Sequence, residues 1–296
     1  MTLSGGPRRE RRRAIHNGSI YWCTVGGDGE LLLDDGRKLD GRSVGYLPPS
    51  NPTKIICVHL NYKSRAIESR NSITAIPFPT YFMKPVSSLN AHGGEIIRPS
   101  DCQFLNYEGE VAAIIGKVTL NVSREEAWDC IAGFAPALDM GLHDFRDTDA
   151  GAMLRVKGRD GFCPIGPGVV SGVDLYEQTL RTYRNGRIVQ EAKIGDEMIW
   201  GPDFLIADLS RHITLMPGDV IMTGTPCHSR PLQPGDTIEV EITNIGRLTN
   251  HIVAGPAPRA DVGFPPSDTA EARRVAFGVD ERVPQYLRDN YRAAGC

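Results

Sequence analysis

Asn106-Tyr107-Glu108-Gly109-Glu110-Val111-Ala112-Ala113-Ile114-Ile115-Gly116-Lys117 sets two carboxylates at the head of an apolar run. Such a run reads as a strand buried on both faces, because a half-solvated strand alternates apolar with polar residues. Positions i and i+2 of a strand share a face, so Glu108 and Glu110 point the same way. Downstream, Ala137-Leu138-Asp139 offers a third carboxylate. Buried together without a counter-ion, three carboxyl groups raise one another's pKa and cannot all ionise. A hard divalent cation with oxygen ligands is the usual relief. On spacing alone the other reading, strand glutamates facing water, stays open.

Working outward, Phe104 to Lys117 is expected as one long strand, and Gly133 to Asp139 as a returning extended segment. Between them Ser123-Arg124-Glu125-Glu126 has the pattern of a capping box and predicts a helix through Ile131. Upstream, Ser19–Val25, Glu30–Leu33 and Lys54–Leu60 read as strands, with Gly26-Gly27-Asp28-Gly29 as a turn. Further on, Asn185-Gly186 between β-type flanks predicts a hairpin, and Gly201-Pro202 opens a helix to Arg211. Pro-Gly-Asp turns at 217–219 and 234–236 precede strands at 220–223 and 237–242, and a strand at 248–253 follows. Short strands, many turns (32 Gly, 21 Pro) and few helices predict an α+β, mostly β core. After Ala254 the Pro-rich Gly255-Pro256-Ala257-Pro258 ends that core, and Asp280 to Ala294 is spaced for a short amphipathic helix.

A chain of 296 residues, 41% hydrophobic and 23% charged, can bury a substantial core. Its net charge of −3 argues against nucleic acid or a membrane as partner. The basic run Arg8-Arg9-Glu10-Arg11-Arg12-Arg13 is expected to be a mobile tail. Seven scattered cysteines without a Cys-x-x-Cys pair fit reduced, buried thiols, and no signal peptide or membrane span is visible, so a cytoplasmic protein is expected.

Several ordered motifs between Lys54 and Val253 together resemble the fumarylacetoacetate hydrolase superfamily. They are Leu60-Asn61-Tyr62, the glutamate strand, Gly133-Phe134 to Asp139, Lys157-Gly158-Arg159-Asp160-Gly161 to Pro167, and Pro217-Gly218-Asp219-Val220 to Pro226. Within the family the chain is most similar to 5-carboxymethyl-2-hydroxymuconate isomerases and 5-oxopent-3-ene-1,2,5-tricarboxylate decarboxylases. The resemblance implies a mixed β-roll catalytic domain, a homodimer, and Mg²⁺ or Mn²⁺ on Glu108, Glu110 and Asp139. It also implies a small-molecule substrate with a 2-oxo or 2-enol carboxylate. Lys157 would then stand near the substrate oxygens, and Thr225 would bind its carboxylate. The division expected is a basic tail over 1–17, a small N-terminal β-unit and lid over 18–90, the catalytic domain over 91–254 and a C-terminal extension over 255–296.

The chain departs from the family's hydrolases where the reaction is chosen. Their lid carries a histidine that, with a glutamate, activates water; here Glu68 matches but the histidine's place holds Arg65. Arginine stays protonated and cannot act as a base. Arg65 would instead grip a second substrate carboxylate or pair with Glu68. Beyond Asp139 the family's arginine and glutamine are replaced by His143 and Arg146, and His59 precedes Leu60-Asn61-Tyr62. His143 is a candidate for proton transfer, and Arg146 and His59 for substrate contact. The expected activity is isomerisation or decarboxylation of a 2-oxo or 2-hydroxy-dienoic diacid through an enolate. Acylpyruvate C–C hydrolysis is the alternative, with a specialised biosynthetic or purely binding role as a third.

Overall fold

The computed structural model describes residues 6–26, 29–259 and 261–295. Within them the apolar run forms strand Gly109–Ile115, buried along its whole length. It pairs antiparallel with Ile131–Leu138 on one side and Val220–Met222 on the other, inside an 11-stranded sheet. Val111, Ala113 and Ile115 enter a core shared with a second, 5-stranded sheet. Ala112 and Ile114 pack on the opposite face, against Ile55, Cys57, Ala135, Val220 and Met222. Burial on both faces explains why the sequence shows no polar alternation. Gly109 faces the second sheet, where a Cβ would lie 2.0 Å from Thr182 Oγ1. Only a glycine allows that approach, and it seats the start of the strand between the two glutamates.

The local signals mostly hold. Ser123 Oγ accepts the Glu126 N–H while the Glu126 carboxylate accepts that of Ser123, the reciprocal pair of a capping box. The helix it opens spans only Arg124–Trp128, because Ile131 is already claimed by the next strand. Asn185 and Gly186, both at positive φ, turn Thr179–Arg184 into Arg187–Lys193. Helix Pro202–Ser210 matches its expectation, and helix Gln285–Ala293 falls within the predicted terminal segment. The expected turn at residues 26–29 includes Gly27 and Asp28, which lie outside the described residues. The described cysteines (Cys23, Cys57, Cys102, Cys130, Cys163 and Cys227) are buried and free; Cys296 lies outside the described residues.

Four expectations need correction. Phe104 to Lys117 is not one strand: Leu105–Asn106 pairs with Gly141–Leu142, and the chain breaks at Tyr107-Glu108 before Gly109–Ile115 begins. Residues 18–90 are not one unit. Strands over 19–47 form a small β-unit with its own core of Ala14, Cys23, Leu31 and Leu33. Ile55–Val58 instead pairs parallel with Val220–Met222, and Tyr81–Lys84 pairs with it, deep in the main sheet. The C-terminal extension also contains an unanticipated helix, Ala270–Phe277, capped by Thr269.

The fourth correction concerns the basic run. Arg9–His16 is a strand inserted between Ser19–Val25 and Gly168–Ser171, tying the N-terminal unit to the main sheet. The guanidiniums of Arg8 and Arg12 bond Glu10, that of Arg11 bonds Asp34, and that of Arg13 reaches the carbonyls of Pro48 and Ser50. Paired charges on long aliphatic stems cover the sheet, so a composition that reads as a solvated tail supports a strand. Deleting residues 1–17 should therefore lower Tm by more than about 5 °C in a thermal melt, since roughly 1 kcal/mol is worth 2–4 °C at this size. A mobile tail would leave Tm unchanged.

Candidate metal centre and active site

Strand register assembles the carboxylates. Leu138 lies opposite Gly109, so Asp139 emerges beside Glu108, and its N–H donates to the Glu108 carbonyl at 2.9 Å. Glu110 projects from the adjacent position of the glutamate strand. Ligand oxygens of Glu108, Glu110 and Asp139 all lie within 4.8 Å of one another. At that separation two ionised carboxylates repel by about 3 kcal/mol for an effective dielectric constant near 20.

Two buried lysines offset part of this repulsion. Lys84 Nζ donates to Asp139 Oδ1 at 2.5 Å and to the Met140 carbonyl at 3.3 Å. Lys157 Nζ donates to Glu108 Oε2 at 2.5 Å and lies 2.9 Å from Asp139 Oδ2. Burial opposes ionisation of Glu108, but Lys157 and Arg65 prevail and hold its pKa below the ordinary value. Glu110 receives only the Gly224 N–H, at 2.7 Å, and has no ion-pair partner among the described residues. Burial, with the charges of Asp139 and Glu108 added, drives its carboxyl well above the usual range. A hard cation bound by these oxygens would let Glu110 ionise, so the donor set and its charge deficit fit Mg²⁺ or Mn²⁺.

Lys157 ends the short helix Leu154–Lys157, and Asp149 holds two N–H groups of its first turn. The carboxylate of Asp149 accepts the N–H groups of Arg155 at 2.6 Å and Val156 at 2.9 Å. Burial disfavours the Lys157 ammonium, yet Asp139 and Glu108 outweigh it and raise its pKa. Lys84 and Asp149 went unnoticed in the sequence. A lysine closing the apolar strand Tyr81–Lys84 was the available signal for the first.

The same cavity is lined by His59, Arg65, Glu68, His143, Arg146 and Thr225, so every predicted site residue converges there. His143 is buried, with neither ring nitrogen hydrogen-bonded among the described residues. Burial and the positive charges of Lys157, Arg65 and Arg146 hold its pKa well below the usual histidine value. His59 is likewise lowered to about 4, chiefly by burial and then by Lys157. Both imidazoles are neutral near pH 7. Thr225 Oγ1 accepts from Gln190 Nε2 at 3.0 Å, and Gln190 Oε1 accepts the Gly109 N–H at 3.1 Å. Gln190, a further unanticipated residue, thus ties the substrate-loop candidate to the glutamate strand.

Helix Lys63–Arg70, in the segment expected to be a lid, presents Arg65 and Glu68 inward. Of the two roles considered for Arg65, pairing with Glu68 is the one seen: Nη1 donates to Glu68 Oε2 at 2.7 Å, and Nη2 lies 3.5 Å from Glu108 Oε1. Arg230 Nη1 holds the other Glu68 oxygen at 2.8 Å. Although burial works against its charge, the two arginines keep Glu68 ionised, with its pKa below the ordinary value. Flanked in this way, Glu68 is poorly disposed to take a proton.

The charge deficit at Glu110 is testable without turnover. Mg²⁺ or Mn²⁺ should raise the Tm of the wild-type protein, by an amount equivalent to about 2.7 kcal/mol at a hundredfold excess over Kd. Glu110→Gln should abolish the rise yet melt no lower than wild type in chelator, because burial and the neighbouring carboxylates already disfavour the charge that the neutral amide lacks. An equal metal-induced rise in the variant would remove Glu110 from the site.

The fumarylacetoacetate (FAA) hydrolase C-terminal family model matches residues 54–253. The chain is 37% identical over 209 residues to the 4-hydroxyphenylacetate degradation bifunctional isomerase/decarboxylase of Salmonella dublin, covering 70% of this chain but only 48% of that relative. A mitochondrial oxaloacetate tautomerase of Xenopus laevis is 33% identical over 234 residues, 75% of this chain and 72% of that protein. Among solved structures, 5-carboxymethyl-2-hydroxymuconate delta-isomerase from Mycobacterium smegmatis superposes with a TM-score of 0.77 at 30% identity, covering 83% of this chain and 99% of that one. By the extent of the family match, together with its fold and acidic triad, the chain belongs to the fumarylacetoacetate hydrolase family.

Proposed function

We propose that the protein is a Mg²⁺- or Mn²⁺-dependent enzyme that isomerises or decarboxylates a 2-oxo or 2-hydroxy-dienoic diacid through an enolate. The observation that carries this reading is the convergence of Glu108, Glu110, Asp139, Lys157 and an unpartnered His143 on one cavity. A cation on the three carboxylates supplies Lewis acidity toward the 2-oxo group. Lys157, held protonated, adds a fixed positive charge where enolate charge develops and is not a base in its resting state. His143 has the opposite character: a neutral imidazole whose unprotonated ring nitrogen can accept a proton and return it to another carbon or oxygen. Thr225, with its hydroxyl already receiving a hydrogen bond from Gln190, can donate its own proton to a substrate carboxylate.

Hydrolysis of an acylpyruvate would need a base to activate water at the lid. Arg65 cannot supply one, and Glu68 is held between Arg65 and Arg230. The isomerase, decarboxylase and tautomerase names of the three relatives above support the same preference, while a fumarylacetoacetate hydrolase among the similar structures keeps hydrolysis as the alternative.

Purified protein with Mg²⁺ should interconvert the keto and enol forms of oxaloacetate or a 2-hydroxydienedioate, or release CO₂ from a 2-oxo diacid, faster than it cleaves an acylpyruvate. His143→Gln should lower kcat by about 10²–10⁴-fold while the metal-induced Tm rise persists. Fast acylpyruvate cleavage without isomerisation or decarboxylation would overturn the proposal. Unchanged kcat in His143→Gln would remove that residue from proton transfer.

A further inference from the structure

The C-terminal extension lies beyond the family match, which ends at residue 253, yet it forms a wall of the active-site cavity. Arg274, Val275, Gly278 and Val279 line the same space as Glu108 and Asp139. The segment is built onto both sides of the site. On one side Ser267 N–H and Oγ donate to the Asp144 carbonyl at 2.8 and 3.0 Å, and Thr269 Oγ1 bonds Asp147. On the other, Arg282 Nη1 donates to the carbonyls of Ile67 and Glu68 at the end of the lid helix, both at 3.2 Å. Beneath it, Asn106 Nδ2 donates to the Ala276 carbonyl at 2.8 Å, and Ala272 and Ala276 pack on Phe104. At Gly278, φ is +61° and a Cβ would meet Glu68 Oε1 at 2.4 Å, so the strap is fitted closely against the lid.

We infer that this strap completes a second anion-binding subsite, in which Arg274 joins Arg146 and Arg70 to grip a distal carboxylate of the substrate and so selects 2-oxo diacids over monoacids. The inference rests on the oxo-acid reading above and adds the residues that read the far end of the substrate.

Charge accounting supports it. The cavity floor is acidic, whereas four arginines, Arg65, Arg70, Arg146 and Arg274, reach its walls. Arg65 is occupied by Glu68 and Glu108. Neither Arg70 nor Arg146 has an ion-pair partner among the described residues, and the hydrogen bond from Arg146 goes to the sulfur of Met153 at 3.0 Å. For Arg146, half-buried and without a carboxylate, a visiting anion offsets lost hydration, while Arg70 stands exposed. Burial lowers the pKa of Arg146; the charges of Glu271 and Glu108 favour its ionised form and those of Arg274 and Arg70 oppose it, which sets it between the floor and the strap. Arg274 bonds Glu271 in a largely exposed i, i+3 pair, 53% and 46% accessible. Such a pair contributes little and is readily exchanged for a substrate carboxylate held bidentately. Glu271, paired with Arg274 and also felt by Arg146, opposes a distal carboxylate until that exposed pair is exchanged.

The test uses the full-length protein with Mg²⁺ and calorimetric titration. Oxalate probes the metal-binding head alone. Oxaloacetate, 2-oxoglutarate and 2-oxoadipate are each compared with the straight-chain 2-oxo monoacid of equal length. At least one diacid should bind more tightly than its monoacid by about tenfold or more, the scale of one charge-assisted pair. Arg274→Ala should erase most of that ratio and leave oxalate unchanged. Arg273→Ala, on the same helix but paired with Asp268 away from the cavity, should preserve it. Equal affinities for diacids and monoacids, or a ratio that survives Arg274→Ala, would overturn the subsite. Failure of oxalate to bind the wild-type protein would instead overturn the metal-dependent reading, and the subsite with it.

Discussion

Three carboxylates pressed within 4.8 Å of one another in the interior are the constraint around which this structure is organised. Their mutual repulsion and lost hydration cost several kcal/mol, and burying them is tolerable only because cations are buried alongside. Lys84 and Lys157 supply two of the charges, from a strand of the main sheet and from a short capped helix. The compensation is incomplete. Glu110, without a lysine, is where the missing charge is felt.

The fold explains how such an arrangement is reached reproducibly. Antiparallel register sets Asp139 beside Glu108, and Gly109 lets the second sheet press against the point between the glutamates. A register slip of one residue would turn both glutamates toward the shared apolar core, so burial on that face enforces the site geometry. Gly224, in the loop after Val220–Met222, closes the far side by donating its N–H to Glu110. Strands from three distant parts of the chain meet at this point, which is why the site depends on long-range pairing rather than on any local motif.

Local signals were legible where the backbone chemistry is local. The Ser123 capping box, the Asn185-Gly186 turn and the apolar glutamate strand could all be read from a few neighbouring residues. The acidic triad was legible as a candidate metal site because identical charges in an apolar setting have few explanations. What escaped notice depends on partners far away in sequence. Arg9–His16 is a strand because Glu10, Asp34 and nearby carbonyls absorb its charges, and composition alone cannot display that pairing. Lys84 acquires meaning only beside Asp139, and Gln190 only between Gly109 and Thr225. Helix Ala270–Phe277 was missed because its apolar face is little more than Ala272 and Ala276 against Phe104. Helix Lys63–Arg70 illustrates the same point: Arg65 and Glu68 were visible, but Arg230, which pairs with Glu68, comes from a loop more than a hundred residues away.

A floor of carboxylates within the family match thus meets a wall built partly from residues beyond it, and the central claim concerns the floor. Anomalous diffraction from crystals grown with Mn²⁺ and oxalate tests that claim most directly. A single manganese peak among Glu108, Glu110 and Asp139, with oxalate facing Lys157, is the predicted result. Manganese bound elsewhere, or an absence of manganese there while Lys84 and Lys157 alone neutralise the carboxylates, would contradict it.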